Sequence, residues 1–288
     1  MINILITGKD SYIGTKFAQW LSQWPDEYAV EELDVKEVSW KGKDFSFYDL
    51  VFHVAGIAHV SVDPKLKDLY YKVNRDLAIE VALKAKNDGI KQFVFMSSII
   101  VYGDSSSKER IITKDTEPTP SNFYGDSKLQ AEKGLKGLED ESFKVVILRP
   151  PMIYGEGSKG NYPRLAKAAV KLPVFPNIEN QRSMLHIDNL CEFIRLMIEN
   201  NESGLFYPQN AEYVKTSDMV RLIAKSHGKR ITLTKIFNPI LRLLGYKIGI
   251  INKVFGNLVY DKTMSEYKQN YRVRDLEESI KLTEMETR

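Results

Sequence analysis

Short apolar runs alternate with helix-like stretches along the first half of the chain. The run from Ile2 to Ile6 is rich in β-branched residues, which predicts a strand, and in 12–24 aromatic and aliphatic residues recur at helical spacing. Segment 68–87 repeats apolar residues with the helical period and stops at Asn87-Asp88-Gly89. The same criteria predict strands at 28–35, 49–55, 91–98 and 143–148 and a helix at 123–138.

Strands that alternate with helices, and that are apolar throughout, are typical of a parallel sheet covered by helices on both faces. We therefore predict an α/β fold with a Rossmann-like, doubly wound parallel sheet in the N-terminal half. From about Pro150 the texture changes to Pro-rich and Gly-rich segments. The prediction is a first domain over 1–150, rejoined by about 183–203, and a smaller C-terminal lobe over 151–182 and 204–288.

Composition and charge restrict the class of protein. The chain has 288 residues, of which 43% are hydrophobic and 27% charged, as in soluble globular proteins. Its 41 Lys and Arg against 38 Asp and Glu leave a net charge of +3, too small to favour nucleic acid as a partner. No apolar run approaches the roughly 18 residues of a membrane-spanning helix. Cys191 is the only cysteine and no signal-peptide pattern precedes the first strand, so we predict a cytoplasmic protein.

A glycine loop joins the first predicted strand to the first predicted helix. Backbone amides in such a loop, together with the positive end of the helix dipole, favour the binding of a pyrophosphate. Ser11 replaces the middle glycine of the usual dinucleotide fingerprint and offers a hydroxyl donor instead. The predicted cofactor ligands in this loop are Gly8, Ser11, Tyr12, Ile13 and Gly14.

An acidic residue follows the second predicted strand, since Asp34 lies 20 residues after Gly14. A carboxylate at this place accepts hydrogen bonds from the ribose hydroxyls of a dinucleotide. It favours NAD over NADP, although Lys9 and Lys36 could receive the 2′-phosphate of NADP. Plain strand–helix turns also contain such glycines, so the cofactor prediction needs further residues.

The segment Tyr124-Gly125-Asp126-Ser127-Lys128 follows the serine pair Ser97-Ser98 along the chain. A tyrosine and a lysine four residues apart lie on one face of a helix, so the ammonium can approach the phenol. We expect this charge to lower the pKa of Tyr124 below its ordinary value of about 10, which makes the phenol a usable base. Together with the glycine loop, these residues indicate a nicotinamide-dependent redox enzyme.

These motifs occur in the order found in a known family. The chain resembles the extended short-chain dehydrogenases/reductases, the NAD-dependent epimerase/dehydratase group that acts on nucleotide sugars, from Ile2 to about Asn189. The resemblance implies that the first predicted domain binds NAD(P) and that the C-terminal lobe binds the nucleotide sugar. The matching segments are Thr7-Gly8 through Ile13-Gly14, His53-Val54-Ala55-Gly56, Asn74, Ser97-Ser98, Val101-Tyr102-Gly103, Tyr124 with Lys128, Arg149-Pro150, and Arg182 to Asp188.

The resemblance implies roles for three catalytic side chains. Tyr124 would be the acid or base at the sugar hydroxyl or ketone, and Lys128 would hold the nicotinamide ribose while lowering the tyrosine pKa. Ser98 would hydrogen-bond the reacting oxygen. In this group a hydride passes between sugar carbon 4 and the nicotinamide, so one proton donor and acceptor and a rigid geometry are enough.

Further ligands are implied by the same resemblance. Ala55 and Gly56 would line the cofactor site, Arg182 would meet the nucleotide diphosphate, and Asn161 falls where a diphosphate-contacting asparagine is often found. A guanidinium fork suits phosphate oxygens, although Arg182 could instead be a surface cation and Asn161 a helix cap. The chain departs from the family in 34–49, which is shorter than usual, and in lacking a clear second phosphate-binding arginine.

Two functions compete on these residues. The first is an NAD-dependent 4-epimerase of a UDP-hexose or UDP-N-acetylhexosamine, working through a 4-keto sugar. The second is a reductase of a 4-keto nucleotide sugar that uses exchangeable NAD(P)H. A 4,6-dehydratase is disfavoured because apolar Ile99 and Ile100 follow Ser98, where dehydration would need an acidic pair. A protein that senses nucleotides without chemistry is disfavoured because Tyr124 and Lys128 are both present.

No metal is predicted, since the histidines lack the spacing of zinc ligands. They are His53, His59, His186 and His227. The resemblance further implies a homodimer, a nucleotide-sugar partner and a place in the biosynthesis of cell-surface polysaccharide.

Overall fold

Parallel strands dominate the part of the chain that the computed structural model describes, which is residues 1–57, 63–106, 108, 110–245, 252 and 254–285. The strands are β1 (Ile2–Thr7), β2 (Tyr28–Leu33), β3 (Leu50–His53), β4 (Gln92–Met96), β5 (Ile111–Ile112), β6 (Lys144–Leu148), β7 (Met152–Tyr154), β8 (Val174–Pro176), β9 (Met184–His186), β10 (Gly204–Phe206), β11 (Thr232–Thr234) and β12 (Val259–Tyr260). The helices are α1 (Tyr12–Leu21), α2 (Lys67–Tyr71), α3 (Leu77–Asn87), α4 (Phe123–Lys136), α5 (Tyr162–Lys171), α6 (Ile187–Glu199), α7 (Thr216–Ser226), α8 (Asn238–Gly245) and α9 (Leu276–Met285).

Six of the strands form one parallel sheet, in the order β10-β6-β4-β3-β1-β2. β1 pairs with β2 on one side and with β3 on the other, so the chain winds outwards from β1 in both directions. Ile4, Leu5 and Ile6 of β1 are fully buried, as expected for a strand covered by helices on both faces. The predicted doubly wound, Rossmann-like sheet is therefore confirmed, and its winding direction changes between β1 and β3.

The short segment 34–49 explains why β2 is an edge strand. This segment contains a 3-10 turn, Val38–Gly42, where a longer chain could hold a helix and another strand. Trp40 and Phe45 fill the space with stacked rings whose centroids are 6.5 Å apart, and both are buried. Ligands of such sheets bind beyond the carboxyl ends of the strands at the change of direction, which here are β1 and β3.

The predicted helix over 68–87 is interrupted in its middle. α2 and α3 are joined by one π-helical turn, Lys72–Asp76, which accommodates an extra residue. This turn directs Asn74 into the interior, where its side chain is fully buried. Such turns are frequent at functional sites, and no feature of the apolar periodicity predicts this one.

The chain divides into two compact units. The first is Met1–Gly103 with Pro118–Pro150 and Cys191–Pro208, and the second is Asp104–Glu117 with Pro151–Leu190 and Gln209–Arg288. These limits differ from the predicted domains because of strand pairing. Segment 104–117 belongs to the second unit because β5 pairs with β12. Segment 183–190 also belongs to it, because β9 pairs with β7. Segment 204–208 belongs to the first unit because β10 pairs with β6.

The second unit is built from short parallel strand pairs and helices. The pairs are β5 with β12, β7 with β9, and β8 with β11. Its core includes Tyr154, Met219, Ile223 and Ile280, all fully buried. The segment after residue 150 is rich in Pro and Gly, but it contains more helices and strands than its hydrophobic periodicity predicts. Among the described residues, no helix has the length and apolar character needed to cross a membrane.

Leu135 tests the packing of α4 on the sheet. Its side chain is fully buried in the core of the first unit, so replacement by Ala should cost about 2 to 5 kcal/mol in the free energy of unfolding. Leu83 on α3 is 46% exposed, and its replacement by Ala should change that free energy by no more than about 0.5 kcal/mol. Urea unfolding followed by circular dichroism measures both, and equal losses would contradict the packing described here.

Candidate active site

The loop after β1 is held against the end of β3. Gly8 has φ +120°, and a Cβ added there would lie 2.6 Å from the Ala55 backbone nitrogen, so only glycine fits. The amides of Gly8 and Lys9 both donate to the Leu33 carbonyl at the end of β2, at 3.0 and 3.2 Å. Gly8 and Ala55 thus meet at the point where the winding of the sheet reverses, which is the place where α/β sheets bind ligands.

The helix that follows this loop presents its N-terminus beside it. Ser11 is the N-cap of α1, and its hydroxyl accepts from the Gly14 amide at 3.2 Å. Tyr12 and Ile13 open the first turn, whose amides and dipole favour an anion. Gly14 allows this turn to pack closely, because a Cβ there would be 2.6 Å from the Ser11 oxygen. The donor set matches what a pyrophosphate requires.

Asp34 directly follows β2, one strand away from the glycine loop. Its carboxylate is exposed, and one oxygen accepts from the Lys36 amide at 2.9 Å. Since β1 and β2 are in parallel register with Thr7 opposite Leu33, Asp34 and Gly8 leave adjacent strands at the same edge of the sheet. This is the arrangement in which a carboxylate can accept from ribose hydroxyls.

Gly56 brings the end of β3 next to Lys128 of α4. A Cβ on Gly56 would lie 3.2 Å from Lys128 Nζ and 3.1 Å from Asn74 Oδ1. Asn74 Oδ1 accepts from the Ile57 amide at 2.8 Å, and its Nδ2 donates to the Ser127 hydroxyl at 3.1 Å. The π-helical turn therefore connects the cofactor side of the sheet to the residue that precedes Lys128.

Tyr124 and Ser98 come together on the same unit. Asn122 caps α4 by accepting from the Gly125 amide at 3.0 Å, which places Tyr124 in the first turn. Ser98 follows β4 and caps the short 3-10 turn after it, and its hydroxyl is close enough to the Tyr124 phenol to act on the pKa of that phenol. Gly125 permits this approach, because a Cβ there would be 2.7 Å from the Ile100 carbonyl oxygen.

The prediction that Lys128 lowers the pKa of Tyr124 is wrong. Burial raises the pKa of Tyr124 to about 12, and the nearby Ser98 hydroxyl offsets only part of that rise. Lys128 Nζ instead donates to the Met96 carbonyl at 2.8 Å and lies 4.7 Å from the centroid of the Phe95 ring. Burial lowers the pKa of Lys128 to about 8. The phenol therefore carries its proton at neutral pH, and the ammonium is poised near its own titration.

The two predicted ligands of the substrate diphosphate, Arg182 and Asn161, lie in the second unit. Arg182 is half-buried, its Nη1 donates to the Gly256 carbonyl at 3.3 Å, and burial lowers its pKa to about 10. Asn161 precedes α5, but its side chain makes no capping hydrogen bond there. Two further arginines of this unit bind to other residues of the same unit. Arg272 donates to the carbonyls of Gln209 and Ser265, and Arg274 pairs with Asp188 and Glu278.

Sequence reasoning missed a buried network behind the side chains that were predicted to be catalytic. Glu132 and Arg149 form an ion pair that also engages Ser97, the neighbour of Ser98. One signal was available, because Glu132 lies four residues after Lys128 and therefore on the same face of α4. The position of Arg149 beside it depends on the pairing of β4 with β6 and leaves no trace in the periodicity.

His53 is buried behind the ends of β1 and β3. Its Nδ1 is 2.8 Å from the Thr7 hydroxyl, and its ring stacks on Phe93 and Phe95 with centroids 5.8 and 6.1 Å away. Burial lowers the pKa of His53 to about 3. His186 and His227 contact Asp188 and Glu284, and His59 lies outside the described residues.

Comparison with known proteins places the chain in a family. The model of the NAD-dependent epimerase/dehydratase family matches residues 4–207, so the chain belongs to this family of NAD-dependent enzymes. The resemblance inferred from the motifs is thereby confirmed.

Individual relatives agree with this assignment. A UDP-glucose 4-epimerase of Vibrio cholerae is 30% identical over 286 residues, which cover 90% of this chain and 87% of that protein. An N-acetyl-alpha-D-glucosaminyl-diphospho-ditrans,octacis-undecaprenol 4-epimerase of Escherichia coli O157:H7 is 26% identical and covers 88% and 81% of the two chains. The structure of a UDP-N-acetylglucosamine 4-epimerase from Bacillus cereus has the same fold, with a TM-score of 0.79, 15% identity and coverage of 100% and 99%.

The buried His53 should make stability depend on pH. Its pKa is about 3 in the folded chain and 6.5 when unperturbed, so between these values only the unfolded chain gains the proton. Its contribution to stability is therefore full above about pH 6.5 and falls by about 1.4 kcal/mol per pH unit below it. In His53→Phe the decrease in the free energy of unfolding between pH 7 and 5 should be smaller, as measured by urea titrations. Identical decreases in both proteins would contradict this origin.

Proposed function

We propose that the protein is an NAD-dependent nucleotide-sugar 4-epimerase that acts on a UDP-hexose or UDP-N-acetylhexosamine through a 4-keto sugar. The observation that carries the proposal is that the buried Tyr124 phenol lies close to the Ser98 hydroxyl, with Lys128 one helical turn further along α4. The names of the two full-length relatives, both 4-epimerases, support the same reaction.

The residues around the loop after β1 fit a dinucleotide. Gly8, Ser11, Tyr12, Ile13 and Gly14 would hold its pyrophosphate, and Asp34 would accept from its ribose. Ala55 and Gly56 at the end of β3 would line the nicotinamide side, where Lys128 would donate to the second ribose. When bound, NAD supplies the acceptor and donor of the hydride at sugar carbon 4.

The proton steps belong to the protein. Ser98 would hold the sugar oxygen, and the proton would pass between that oxygen and the Tyr124 phenol. The Lys128 ammonium, on the same face of α4, would stabilise the charge that develops on the phenol when the proton leaves. If the 4-keto sugar turns before the hydride returns, the hydride would reach the other face of carbon 4 while Tyr124 returns the proton to the oxygen, which would give the other epimer.

For the diphosphate of the substrate we propose the ligands that the resemblance implies, Arg182 and Asn161. Arg182 stays protonated at neutral pH despite its lowered pKa of about 10, and a half-buried guanidinium binds phosphate oxygens more strongly than a solvated one. Asn161, whose side chain is not used as a cap, would add a polar contact. We further propose a homodimer that works in the cytoplasm and supplies polysaccharide biosynthesis, as the family resemblance implies.

A reductase of a 4-keto nucleotide sugar is the second candidate, and one observation favours it. The Tyr124 phenol holds its proton, with a pKa of about 12, which suits a group that donates to a ketone oxygen. Two assays separate the candidates. An epimerase interconverts UDP-glucose and UDP-galactose, or their N-acetylated forms, without added cofactor. A reductase converts a 4-keto sugar only when NADH or NADPH is supplied.

Replacing Tyr124 by Phe should lower kcat about 10²- to 10⁴-fold, because the proton donor and acceptor is lost. The dissociation constant for NAD should change little, since the ring and its packing on Tyr70 remain. Tyr48→Phe, at a tyrosine bonded to Glu31 beside β2, is the matched control and should keep full activity. Wild-type turnover in the Tyr124 variant would remove this residue from the mechanism.

Arg182→Met should raise KM for the nucleotide sugar about 10- to 100-fold while kcat falls less, because a charge-assisted contact to the diphosphate is lost. Arg230 is exposed in the same unit, and Arg230→Met should leave KM unchanged. Initial rates at varied substrate concentration decide between them. Equal KM values in both variants would show that Arg182 does not bind the diphosphate.

A further inference from the structure

A buried ion pair lies one helical turn from Lys128. Arg149 Nε is 3.0 and 3.2 Å from the two carboxylate oxygens of Glu132, and its Nη2 is 2.5 Å from one of them. Each side chain is only 6% exposed. The bidentate geometry is the strong form of this contact and leaves little freedom to either side chain.

The same pair touches every element that carries a catalytic side chain. Glu132 is on α4 with Lys128, and it accepts from the Ser97 hydroxyl at the end of β4. Arg149 follows β6, and its Nη1 donates to the Tyr102 hydroxyl at 2.6 Å, in the 3-10 turn that Ser98 caps. The pair therefore joins α4 to the residues on both sides of Ser98.

Net stability does not explain such a pair. Removing two charges from water costs several kcal/mol for each ion, and apolar residues of the same volume often stabilise a fold as well or better. A function that needs charge at this place accounts for the arrangement. Lys128, one helical turn before Glu132 on α4, is an ionised group on which the Glu132 charge acts.

We propose that Glu132 and Arg149 are positioning residues, which hold Ser98 and Lys128 in register and whose opposite charges govern the protonation of Lys128. The inference rests on the proposed function for the roles of Ser98 and Lys128. The coupling of charges is a property of the protein itself and can be tested without turnover.

The surroundings of Lys128 support this assignment. From β4 it receives the Met96 carbonyl and the Phe95 ring, and from β3 it faces His53, which is neutral because burial lowers its pKa to about 3. On α4 its neighbours are the protonated Tyr124 and the Glu132 carboxylate. Burial lowers the pKa of Lys128 to about 8, and Glu132 is the group that acts in the opposite direction.

The proposal predicts changes of opposite sign. In Glu132→Gln the ammonium loses its nearby negative charge, so the pKa of Lys128 should fall by about one pH unit. In Arg149→Met the Glu132 carboxylate loses its partner and acts on Lys128 fully, so the pKa should rise by a similar amount of about one pH unit. The double variant, without either charge, should lie between the two. A merely structural role would admit water in both single variants and move both values upwards.

NMR of protein labelled with ¹³C in lysine measures this directly. The ¹³Cε signal of Lys128 is assigned by its absence in Lys128→Met and is followed from pH 6 to 10 in each variant. The same pH range is then used for the dissociation constant of NAD, whose rise at high pH should shift with the Lys128 midpoint. A midpoint that stays or rises in Glu132→Gln overturns the proposal.

Folding and function are controlled separately. Breaking a buried pair costs about 3 to 5 kcal/mol, so Arg149→Met is accompanied by circular dichroism, and the shape-conserving Glu132→Gln decides the sign if the former does not fold. Wild-type protein that titrates as described but turns over no nucleotide sugar would refute the proposed function and leave this inference standing. Normal turnover with no shift in Glu132→Gln would do the reverse.

Discussion

Helix α4 carries polar and charged side chains into the interior, and each of them requires a partner there. The buried polar residues of this helix are Tyr124, Ser127, Lys128 and Glu132. Burying a polar group without a hydrogen bond costs free energy, so a fold contains few such groups. Their partners come from the ends of β4 and β6, and from the π-helical turn between α2 and α3. The docking of this one helix therefore orders the edge of the sheet where the chemistry is proposed.

The sheet contributes the other half of the constraint. Because all six strands are parallel, their carboxyl ends meet at one edge, and the reversal of winding between β1 and β3 leaves a crevice there. Gly8 lets the backbone come close to Ala55, where any side chain would collide, and Gly56 leaves room for Lys128, which a Cβ there would crowd. The shortened segment 34–49 removes an outer strand without disturbing this crevice, since it lies beyond β2.

Burial also determines the protonation states of Tyr124 and Lys128. The i to i+4 spacing of Tyr124 and Lys128 suggests a simple pair in which the ammonium lowers the phenol pKa. In the folded protein desolvation is the larger effect on both groups, so the tyrosine pKa rises and the lysine pKa falls. Glu132 then matters because it is the charge on α4 that opposes the effect of burial on the pKa of Lys128.

The amino-acid sequence by itself determined the alternation of strands and helices, the glycine loop, the Tyr124 to Lys128 spacing and the family, because these depend on local periodicity and on short motifs. Only the tertiary structure decided what depends on contacts between distant segments. Strand pairing moved 104–117 and 183–190 to the second unit, the π-helical turn buried Asn74, and the pairing of β4 with β6 brought Arg149 to Glu132. The pKa values also depend on the tertiary structure, because a side chain is desolvated only when folding buries it.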